Sequence, residues 1–566
     1  MGEVVTDAVL PHGSPLRVGV LLDSLDQPRW IARALELLWA DGHCAPTVVV
    51  LNGTMPTETS RVRAWIRNRN RLLYALYERL DSRRFARPDD ALQGTRLDAL
   101  LGGVPTMTVT PRSTKFVDYF SDEDLERLRA YELDVVIRLG FRILRGDILK
   151  IAKFGVWSYH HGDNAAYRGG PAGFWEVMQD DPITGSVLQV LSDELDGGRI
   201  IYRSYGATER LSVRKSRAAY YQKSSAFLAR AMRELHESGS LDGIGPPLDR
   251  CRPSAYSRPI FTAPTNVTMG RLLMRLMGRY ARQRLGSLTH DEQWCIAYRV
   301  GPTGEPDVPV PDLVPHRFRP LIPPRDRFWA DPFPLTVHGR HWVFFEEFIR
   351  ERGRGHISVV EVTKSGPVGA VTPVIECEHH LAYPFVFEWN GAHYLIPESI
   401  SAGVVRIYRA VEFPFRWELD RELMMDVVAV DPTIAHVNGQ WWMFANTDAG
   451  GSSTMDELNL YYADSPLGPW TPHPRNPVVS DVRSSRPAGR LFQSGGRWFR
   501  PSQDSSGRYG RAIVINRILK LDRRTYEETP VTRIEPEWMP GLTGTHTINA
   551  SPGITVIDGR LRRSRY

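Results

Sequence analysis

Residues 157–171 read Trp157-Ser-Tyr-His160-His161-Gly-Asp163-Asn-Ala-Ala-Tyr167-Arg168-Gly169-Gly170-Pro171, and Thr184-Gly185 and Leu195-Asp196-Gly197-Gly198-Arg199-Ile200 follow. An apolar strand, 134–139, and a short helix, 145–152, are predicted to lead into this stretch. The pattern brings His160 to the end of a strand and returns Asp196 36 residues later. Ligands of open α/β sheets bind outside the carboxyl ends of the strands. A histidine and an aspartate at that edge suit proton transfer.

These motifs resemble the 10-formyltetrahydrofolate-dependent formyltransferases, whose signature runs Asn-x-His, Ser-Leu-Leu-Pro, Tyr-Arg-Gly, Thr-Gly and Asp-x-Gly-x-Ile. His160 stands where the catalytic histidine belongs, seven residues before Tyr167. The run 139–144, Leu-Gly-Phe-Arg-Ile-Leu, is similar to the folate loop of that family. The resemblance covers roughly residues 16–240 and implies an α/β, Rossmann-like formyltransferase domain.

The resemblance also implies roles for individual residues. His160 would polarise the formyl oxygen and share the proton of the attacking amine, and Asp196 would orient His160. The implied cofactor is 10-formyltetrahydrofolate as formyl donor, and the acceptor is a small-molecule primary amine, with amino sugars among the candidates. The residues that correspond to the family's cofactor-binding positions are Phe141, Arg142, Tyr167, Arg168 and Gly169.

Two departures from the family pattern bear on activity. The signature asparagine, which donates to the developing oxyanion, is replaced by Ser158, and the Ser-Leu-Leu-Pro loop has become 162–165, Gly-Asp-Asn-Ala. Loss of one oxyanion donor costs about 10²–10³ in rate in other enzymes. We expect Ser158 to take over the catalytic donor role, with His161 and Asp163 as further candidates. The alternatives are an altered formyltransferase fold in a glycan-binding or glycosidase-like protein, or a formylfolate hydrolase.

The N-terminal pattern predicts a parallel sheet covered on both faces. Residues 16–22 and 47–51 are apolar strands, and 28–40 is an amphipathic helix between them. Residues 212–237 are predicted to form one long amphipathic helix. No Gly-x-Gly-x-x-Gly follows the first strand, which disfavours a nicotinamide cofactor. Gln189, where many relatives carry a histidine, is an ordinary sheet residue or a part of the site.

Residues 241–290 are predicted to be a linker. Within it, residues 269–284 form a basic amphipathic helix that contains leucine, methionine and arginine. Such a helix can lie on an anionic membrane surface. We favour the other interpretation, in which its Leu/Met face packs between two domains.

From residue 290 the pattern changes to short aromatic strands with an internal repeat. Each of five units contains a proline that is followed by a glycine turn and a second strand. The prolines, at positions 332, 384, 432, 487 and 552, are 52, 48, 55 and 65 residues apart. Five such units predict an all-β five-bladed β-propeller over 291–566. The run 293–299 is a candidate for the missing outer strand of the last blade.

This half resembles the propeller at the N-terminus of plant glucosamine inositolphosphorylceramide transferases. The similar motifs include 328–332, Phe-Trp-Ala-Asp-Pro, and 461–470, Tyr-Tyr-Ala-Asp-Ser-Pro-Leu-Gly-Pro-Trp. Its repeat is also similar to that of the five-bladed glycoside hydrolases. In the plant proteins the glycosyl transfer is attributed to another domain, so the resemblance does not require this half to be a transferase.

The repeat register places charged residues at one mouth of the predicted channel. Asp331, Asp431 and Arg486 stand at equivalent positions, with Tyr383 and Ser551 in the other two units; Glu346 and Glu398 are equivalent to each other. Paired carboxylates and an arginine suit a carbohydrate, either bound or hydrolysed, and the rings of Trp329 and Tyr383 suit a pyranose face. The alternative is that Asp-Pro is only a turn device. We expect no metal site.

The length, charge and cysteine content of the chain limit which partners and locations are expected. The chain has 566 residues, a net charge of +6 and a pI near 9.1, which permits an anionic partner without requiring nucleic acid. Its four cysteines form no Cys-x-x-Cys pair, and no stretch approaches 18 apolar residues. We expect a cytoplasmic multidomain protein with a loose tail (1–15), a formyltransferase-like domain (16–240), a linker (241–290) and a propeller (291–566), without a membrane span or nucleic-acid partner.

Overall fold

The computed structural model describes residues 13–54, 69–194, 197–245, 258–303, 310–314, 317–448 and 453–565. These residues form two compact units. The first unit takes in most of the chain up to residue 279, and the second begins at residue 280 and also includes residues 205–207. The functional boundaries expected from the sequence stay predictions.

A seven-stranded sheet forms the centre of the first unit. Its strands are β1 (Leu16–Leu22), β2 (Cys44–Asn52), β3 (Thr106–Val109), β4 (Val135–Arg138), β5 (Val156–His160), β6 (Ile183–Val190) and β7 (Arg199–Ala207). Their order is β7-β6-β5-β4-β1-β2-β3. The strands from β5 to β3 in that order are parallel, and β6 runs antiparallel to β5. The predicted parallel sheet is therefore present, and His160 ends its fifth strand. Short strands outside this sheet are Asp26–Pro28, Gly94–Arg96, Arg112–Ser113, Val117–Tyr119 and Ile143–Leu144.

Helices flank the sheet: α1 (Arg29–Ala40), α2 (Leu72–Phe85), α3 (Asp98–Leu101), α4 (Asp122–Arg129), α5 (Phe174–Gln179), α6 (Val213–Ser224) and α7 (Phe227–Ser238). The long helix predicted over 212–237 is in fact two helices, α6 and α7. The hydroxyls of Ser224 and Ser225 donate to the carbonyls three residues earlier, at 3.0 and 2.6 Å. Serine side chains that bond the backbone in this way compete with helix continuation, which accounts for the break.

The basic amphipathic segment forms α8 (Asn266–Thr289). Met269 and Leu272 are buried in an apolar cluster with residues of α5, whereas Met274, Met277 and Leu285 are exposed. Only part of the Leu/Met face is therefore packed. Within the described part of the chain, no helix has the length and apolar character that a membrane crossing requires.

The second unit contains five sheets. Four of them have four strands each in chain order, with antiparallel neighbours. The strands of the first two sheets are Arg327–Val337, Arg340–Ile349, Arg354–Thr363 and Gly366–Ile375, then Ala382–Trp389, Ala392–Glu398, Val405–Glu412 and Arg416–Met424. Those of the third and fourth are Ala429–Val437, Gln440–Thr447, Leu458–Ala463 and Thr471–Pro472, then Phe492–Ser494, Arg497–Asp504, Ala512–Leu521 and Tyr526–Ile534.

The fifth sheet joins the two ends of the second unit. Its strands are β8 (His290–Val300), Arg319–Leu321, Leu542–Gly544, Ile548–Ser551 and Ile554–Ser564. Strand β8 pairs antiparallel with Ile554–Ser564 along its whole length. Residues 293–299 do supply a strand to the last sheet, but it is not the outer strand that was expected, because Arg319–Leu321 pairs with the other side of β8 and forms the edge. The first and last segments of the unit are thus paired in one sheet.

The first strand of each of the first three sheets carries the same irregularity. A register shift interrupts its pairing around Asp331, Tyr383 and Asp431 respectively. These residues have φ values of 52°, 44° and 52°, in the left-handed region that non-glycine residues seldom adopt. A bulge of this kind re-aims a side chain, so the repeat positions named from the sequence are structurally equivalent in these three sheets.

Candidate functional site

His160 lies at the carboxyl end of β5, half-buried, in the first unit. Its Nε2 lies 3.1 Å from the carbonyl oxygen of Tyr167, so the loop that follows the strand folds back over the imidazole. Asp196, its expected partner, lies outside the described residues. The pairing of the two side chains stays a prediction.

Ser158 is buried two residues before His160, and its hydroxyl is already engaged. Arg138, which pairs with Ser158 across the two strands, donates from Nη1 to Ser158 Oγ at 2.9 Å. The same guanidinium donates to the carbonyls of Phe141 and Arg142, both at 2.9 Å. Burial lowers the pKa of Arg138, and the carboxylates of Asp23 and Asp118 oppose that shift. Arg138 therefore links the expected oxyanion donor to the expected folate loop.

The loop at Phe141 and Arg142 is held by carboxylates. Phe141 has φ 64° and its N–H donates to Asp23 Oδ1 at 2.8 Å; the N–H of Arg142 donates to Asp118 Oδ2 at 2.9 Å. Gly140 is required here, because a Cβ would lie 2.4 Å from the backbone nitrogen of Asp23. The strained turn is thus fixed beside the end of β4, where a ligand of the sheet would bind.

Glycines let the motif segments approach each other. A Cβ on Gly185 would lie 2.9 Å from Asp163 Cα, and one on Gly169 would lie 2.3 Å from the carbonyl oxygen of Phe261. Tyr167 is buried and its hydroxyl donates to Asp181 Oδ2 at 2.8 Å, while the carbonyl of Arg168 accepts from the N–H of Phe261 at 2.8 Å. The structure therefore brings Tyr167 next to His160 and places Arg168 and Gly169 further along the same loop.

His161 and Asp163, the two further candidates for the oxyanion donor, do not lie beside Ser158 in the sheet. His161 is buried among aromatic rings, with its ring centroid 3.9 Å from that of Tyr221, and burial lowers its pKa to about 3. The Asp163 carboxylate accepts from the N–H of Ala165 at 3.0 Å and closes a turn. Gln189, which pairs with Ser158, has a buried Oε1 without a partner among the described residues. Of these side chains, Gln189 is the one adjacent to Ser158 in the sheet.

In the second unit five predicted residues form one buried network, here called the acid cluster: Asp331, Glu346, Glu398, Asp431 and Arg486. Arg486 donates from Nε to Asp431 Oδ2 at 2.5 Å and from Nη2 to Glu398 Oε2 at 3.4 Å. Gln503 Nε2 also donates to Asp431 Oδ2, at 2.9 Å. Glu398, Asp431 and Arg486 are therefore in one hydrogen-bonded network with Gln503. Asp331 and Glu346 interact with these carboxylates through their charges.

Protonation equilibria in the acid cluster are displaced by burial and by mutual repulsion. Burial raises the pKa of Asp331 to about 6, with Asp431 and Asp558 adding to the rise and His546 opposing it. The pKa values of Glu346 and Glu398 are also raised, first by burial and then by neighbouring carboxylates. Carboxyl groups with different proton affinities are what acid–base chemistry on a glycosidic bond requires.

His546 was not predicted, and it belongs to this network. Its Nδ1 lies 2.5 Å from Asp558 Oδ2, and its Nε2 lies 3.6 Å from Asp331 Oδ1. Burial lowers the pKa of His546, but these carboxylates outweigh that effect and its pKa is raised. The three side chains could also hold a metal ion, since one ligand atom of each lies within 4.8 Å of the others. The sequence did not identify this group of side chains, and the expectation of no metal site stays a prediction.

The fifth repeat was placed six residues too late in the sequence. Gly553 makes the turn between Ile548–Ser551 and Ile554–Ser564, so Ser551-Pro552 lies at the turn itself. Thr545 and His546 are the positions that correspond to the bulge of the other sheets. Thr547, beside them, donates from its hydroxyl to Asp331 Oδ1 at 2.6 Å. The repeat was aligned on a proline, and positions 545–546, Thr-His, contain none, so the alignment took the proline of the turn instead.

The two aromatic rings expected to face a sugar are engaged otherwise. The Trp329 indole N–H donates to Glu347 Oε1 at 3.2 Å. Tyr383 is fully buried, and its hydroxyl accepts from the N–H of Gly489 at 2.7 Å. Tyr509 instead meets the acid cluster, with the Arg486 guanidinium 5.0 Å from its ring centroid.

Comparison with known proteins divides the chain into the same two halves. Residues 323–539 match the family model described as glucosamine inositolphosphorylceramide transferase 1, N-terminal. The rice (Oryza sativa subsp. japonica) glucosamine inositolphosphorylceramide transferase 1 is 35% identical over 208 residues, which are 36% of this chain and 28% of that protein. The chain thus spans little more than a quarter of the length of this relative.

The similarity to formyltransferases is weaker. Methionyl-tRNA formyltransferase of Prochlorococcus marinus is 26% identical over 87 residues, 15% of this chain and 26% of that protein. The crystal structure of glycinamide ribonucleotide transformylase 1 from Symbiobacterium toebii is 17% identical, with a TM-score of 0.27, and the match covers 40% of this chain and 89% of that chain. The chain is therefore similar to two kinds of transferase, one matched at 323–539 and the other a formyltransferase.

Proposed function

We propose that the first unit transfers a formyl group from 10-formyltetrahydrofolate to a primary amine, an amino sugar being the first candidate. The observation that carries this proposal is the position of His160. It ends a strand of a largely parallel sheet, and the Tyr167 loop folds over it. The ordered sequence motifs and the partial similarity to methionyl-tRNA formyltransferase support the same assignment.

The residues of this edge fit a formyl donor in their chemistry. A half-buried imidazole and the buried, unpartnered Oε1 of Gln189 flank Ser158 in the sheet. Phe141, Arg142, Tyr167, Arg168 and Gly169 would hold the cofactor, which supplies the formyl group when bound. His160 would hold the proton that the amine loses, and Asp196 would orient its ring. Arg138 keeps Ser158 in place, so the serine hydroxyl is positioned by a cation.

Mass spectrometry tests this proposal directly. Glucosamine and other candidate amines are incubated with the full chain and 10-formyltetrahydrofolate, and a gain of one formyl group is sought. We expect a product with the native chain and none with His160→Ala. Arg127→Ala, an exposed helix substitution, serves as the control. Full activity in His160→Ala would show that the motif assignment is wrong.

A second candidate function has an observation of its own. The Ser158 hydroxyl accepts a hydrogen bond from Arg138 and donates its own proton to the carbonyl of Tyr159 at 3.4 Å, so its O–H is directed at the backbone and not at a ligand. The first unit would then be an altered formyltransferase fold, or a formylfolate hydrolase in which water replaces the amine. Release of formate without an amine favours the hydrolase, and cofactor binding without turnover favours the altered fold.

For the second unit we propose a five-bladed propeller that recognises a carbohydrate. The repeated bulge at Asp331, Tyr383 and Asp431 and the fifth sheet closed by β8 support the propeller. The acid cluster supports a saccharide ligand, as does the similarity of residues 323–539 to proteins named for a glucosamine-containing lipid. Hydrolysis of the bound sugar by these carboxylates is the alternative.

A glycan array tests the carbohydrate proposal. We expect the full chain to bind a defined set of glycans, and Asp431→Asn to lose that binding at least tenfold. Asp426→Asn, a substitution in the turn before the same strand, is the matched control. Unchanged binding by Asp431→Asn would remove the acid cluster from the ligand site.

A further inference from the structure

A cleft in the first unit lies beside the loop that covers His160. Its empty volume, including the part open to solvent, is about 200 Å³. We refer to it as the Glu176 cleft; its lining consists of His161, residues 167–173, Trp175, Glu176 and Phe261. The sequence motifs place Tyr167 and Gly169 here but give no role to Glu176.

Glu176 is a buried acid with one oxygen that lacks a hydrogen-bond partner in the described part of the chain. It lies in α5 with 1% of its surface exposed, and its Oε1 has no hydrogen-bond partner among the described residues. Burial raises the pKa of Glu176 to about 7, and Asp181 adds to the rise. Buried polar atoms without a partner are rare in folded proteins, because each costs free energy. An unsatisfied carboxyl that lines a cleft therefore points to a ligand.

Two arginines whose charges oppose the rise in the pKa of Glu176 are hydrogen-bonded to other groups. Arg217 donates to both carboxylate oxygens of Glu78, at 2.7 and 3.0 Å, and to a backbone carbonyl at 2.7 Å. Arg258 donates to Gln179 Oε1 at 2.8 Å and lies 3.5 Å from Asp181 Oδ2. Neither guanidinium donates to Glu176 Oε1, which has no hydrogen-bond partner among the described residues. Arg168 is a further cation of the cleft lining.

The walls of the cleft are aromatic and closely fitted. The ring of Phe261 stacks between Tyr167 and Trp175, with centroid distances of 5.5 and 5.1 Å. Ring faces attract cations and cover the apolar face of a sugar. Gly173 has φ 66°, and a Cβ there would lie 2.8 Å from the Tyr220 hydroxyl, which is itself buried without a partner. The cleft thus combines an acid with a stacked aromatic wall.

We propose that the Glu176 cleft binds the ammonium group of an amino sugar, with Glu176 Oε1 accepting from the ammonium and Phe261 and Trp175 forming the wall. The inference rests on the proposed function in one respect, since this amine would be the formyl acceptor. The position supports that link, because Tyr167 contributes both to the cleft and, through its carbonyl, to the contact with His160.

Isothermal titration calorimetry of the full chain, without folate, tests the proposal. Glucosamine is compared with N-acetylglucosamine, which has the same ring and no ammonium. We expect glucosamine to bind at least tenfold more tightly, and Glu176→Gln to abolish that preference. Glu123→Gln, an exposed acid of the same unit, is the matched control. Equal binding of the two sugars, or a preference retained in Glu176→Gln, would overturn the proposal.

A second measurement covers the case in which Glu176→Gln fails to fold. In the native chain, glucosamine affinity should rise from pH 6 to pH 7 as Glu176 ionises; a flat profile contradicts the proposal. The measurement is also separate from formyl transfer. Glu176-dependent binding without formylation would support the ammonium site and contradict the proposed formyl transfer. Formylation without a preference for the ammonium would support formyl transfer and contradict the ammonium site.

Discussion

Arg486 places its guanidinium between two buried carboxylates, Asp431 and Glu398. Removal of one partner from a buried ion pair leaves an uncompensated charge, which costs about 3–5 kcal/mol. We therefore expect Arg486→Met to lower the free energy of unfolding by that amount in urea, measured by tryptophan fluorescence. The control is Arg352→Met, whose ion pair with Glu376 is half exposed and contributes about 1 kcal/mol or less. Equal losses in the two variants would contradict the burial argument.

Asp331 predicts a pH dependence of stability with a definite sign. Its folded-state pKa is raised to about 6, so the folded state binds more protons than the unfolded state between roughly pH 4 and pH 6. Stability is highest when Asp331 is protonated and falls as the pH rises through that window. The shift from 3.8 corresponds to a loss on the order of 3 kcal/mol.

The measurement is urea unfolding at pH 4.5, 5.5 and 6.5 in the native chain and in Asp331→Asn. We expect the decline in unfolding free energy over this range to be smaller in Asp331→Asn, since that side chain does not ionise. Asp326→Asn, an exposed aspartate, should keep the native profile. A decline of the same size in Asp331→Asn would assign the pH dependence to Glu346 and Glu398 instead.

The sequence predicted the site residues that occupy repeated positions. It did not predict the site residues that belong to no repeated pattern. Asp331 and Asp431 share an Asp-Pro pair and a fixed spacing, so their equivalence could be predicted. His546 has no such pair, and its place beside Asp331 depends on the turn at Gly553. Arg138 is the last residue of an apolar strand. Nothing in the sequence around it predicts that its guanidinium donates to Ser158, Phe141 and Arg142 together.

At the level of elements, β6 and the loop after β5 approach each other closely, and this contact requires the glycine of the Thr-Gly motif. Gly185 lies in β6 against Asp163, with no room for a Cβ. We expect Gly185→Ala to lower stability by about 1–3 kcal/mol through overpacking, and to weaken cofactor binding because the loop between His160 and Tyr167 has to move. Gly270→Ala is the control, since it lies in α8 with nothing within 4 Å. It should stabilise by up to about 1 kcal/mol.

Thermal unfolding of the two variants checks this pair. Opposite shifts of the transition temperature are expected. An unchanged transition temperature in Gly185→Ala would show that the loop at Asp163 can move aside without loss of stability.

Elements were predictable where periodicity alone decides them. Strands β1 and β4 are largely apolar runs, and such runs predict buried strands of a parallel sheet. The division between α6 and α7 escaped prediction, since the apolar period continues across Ser224 and Ser225 and only their hydroxyl bonds reveal the break. Strand β8 could be placed because the last repeat lacked strands, which is an argument about the whole unit.

At the scale of the molecule, the two units have apolar cores of their own. Val20, Val135 and Trp157 belong to a core of the first unit, whereas Phe344 and Tyr383 belong to one of the second. Two cores that form within separate stretches of chain can unfold in separate steps. We therefore expect two transitions in differential scanning calorimetry of the full chain.

The variants assign the transitions. Arg486→Met should lower the temperature of one transition and leave the other within about 1 °C, and Gly185→Ala should do the opposite, since a loss of about 1–3 kcal/mol shifts a transition by several degrees. A reduced folate that binds only the native first unit should raise the transition that Gly185→Ala lowers, because a ligand stabilises the state that binds it. One transition that moves in all three experiments would show that the units unfold as a single cooperative body. In that case, the proposal that formyl transfer and carbohydrate recognition belong to separable domains would be wrong.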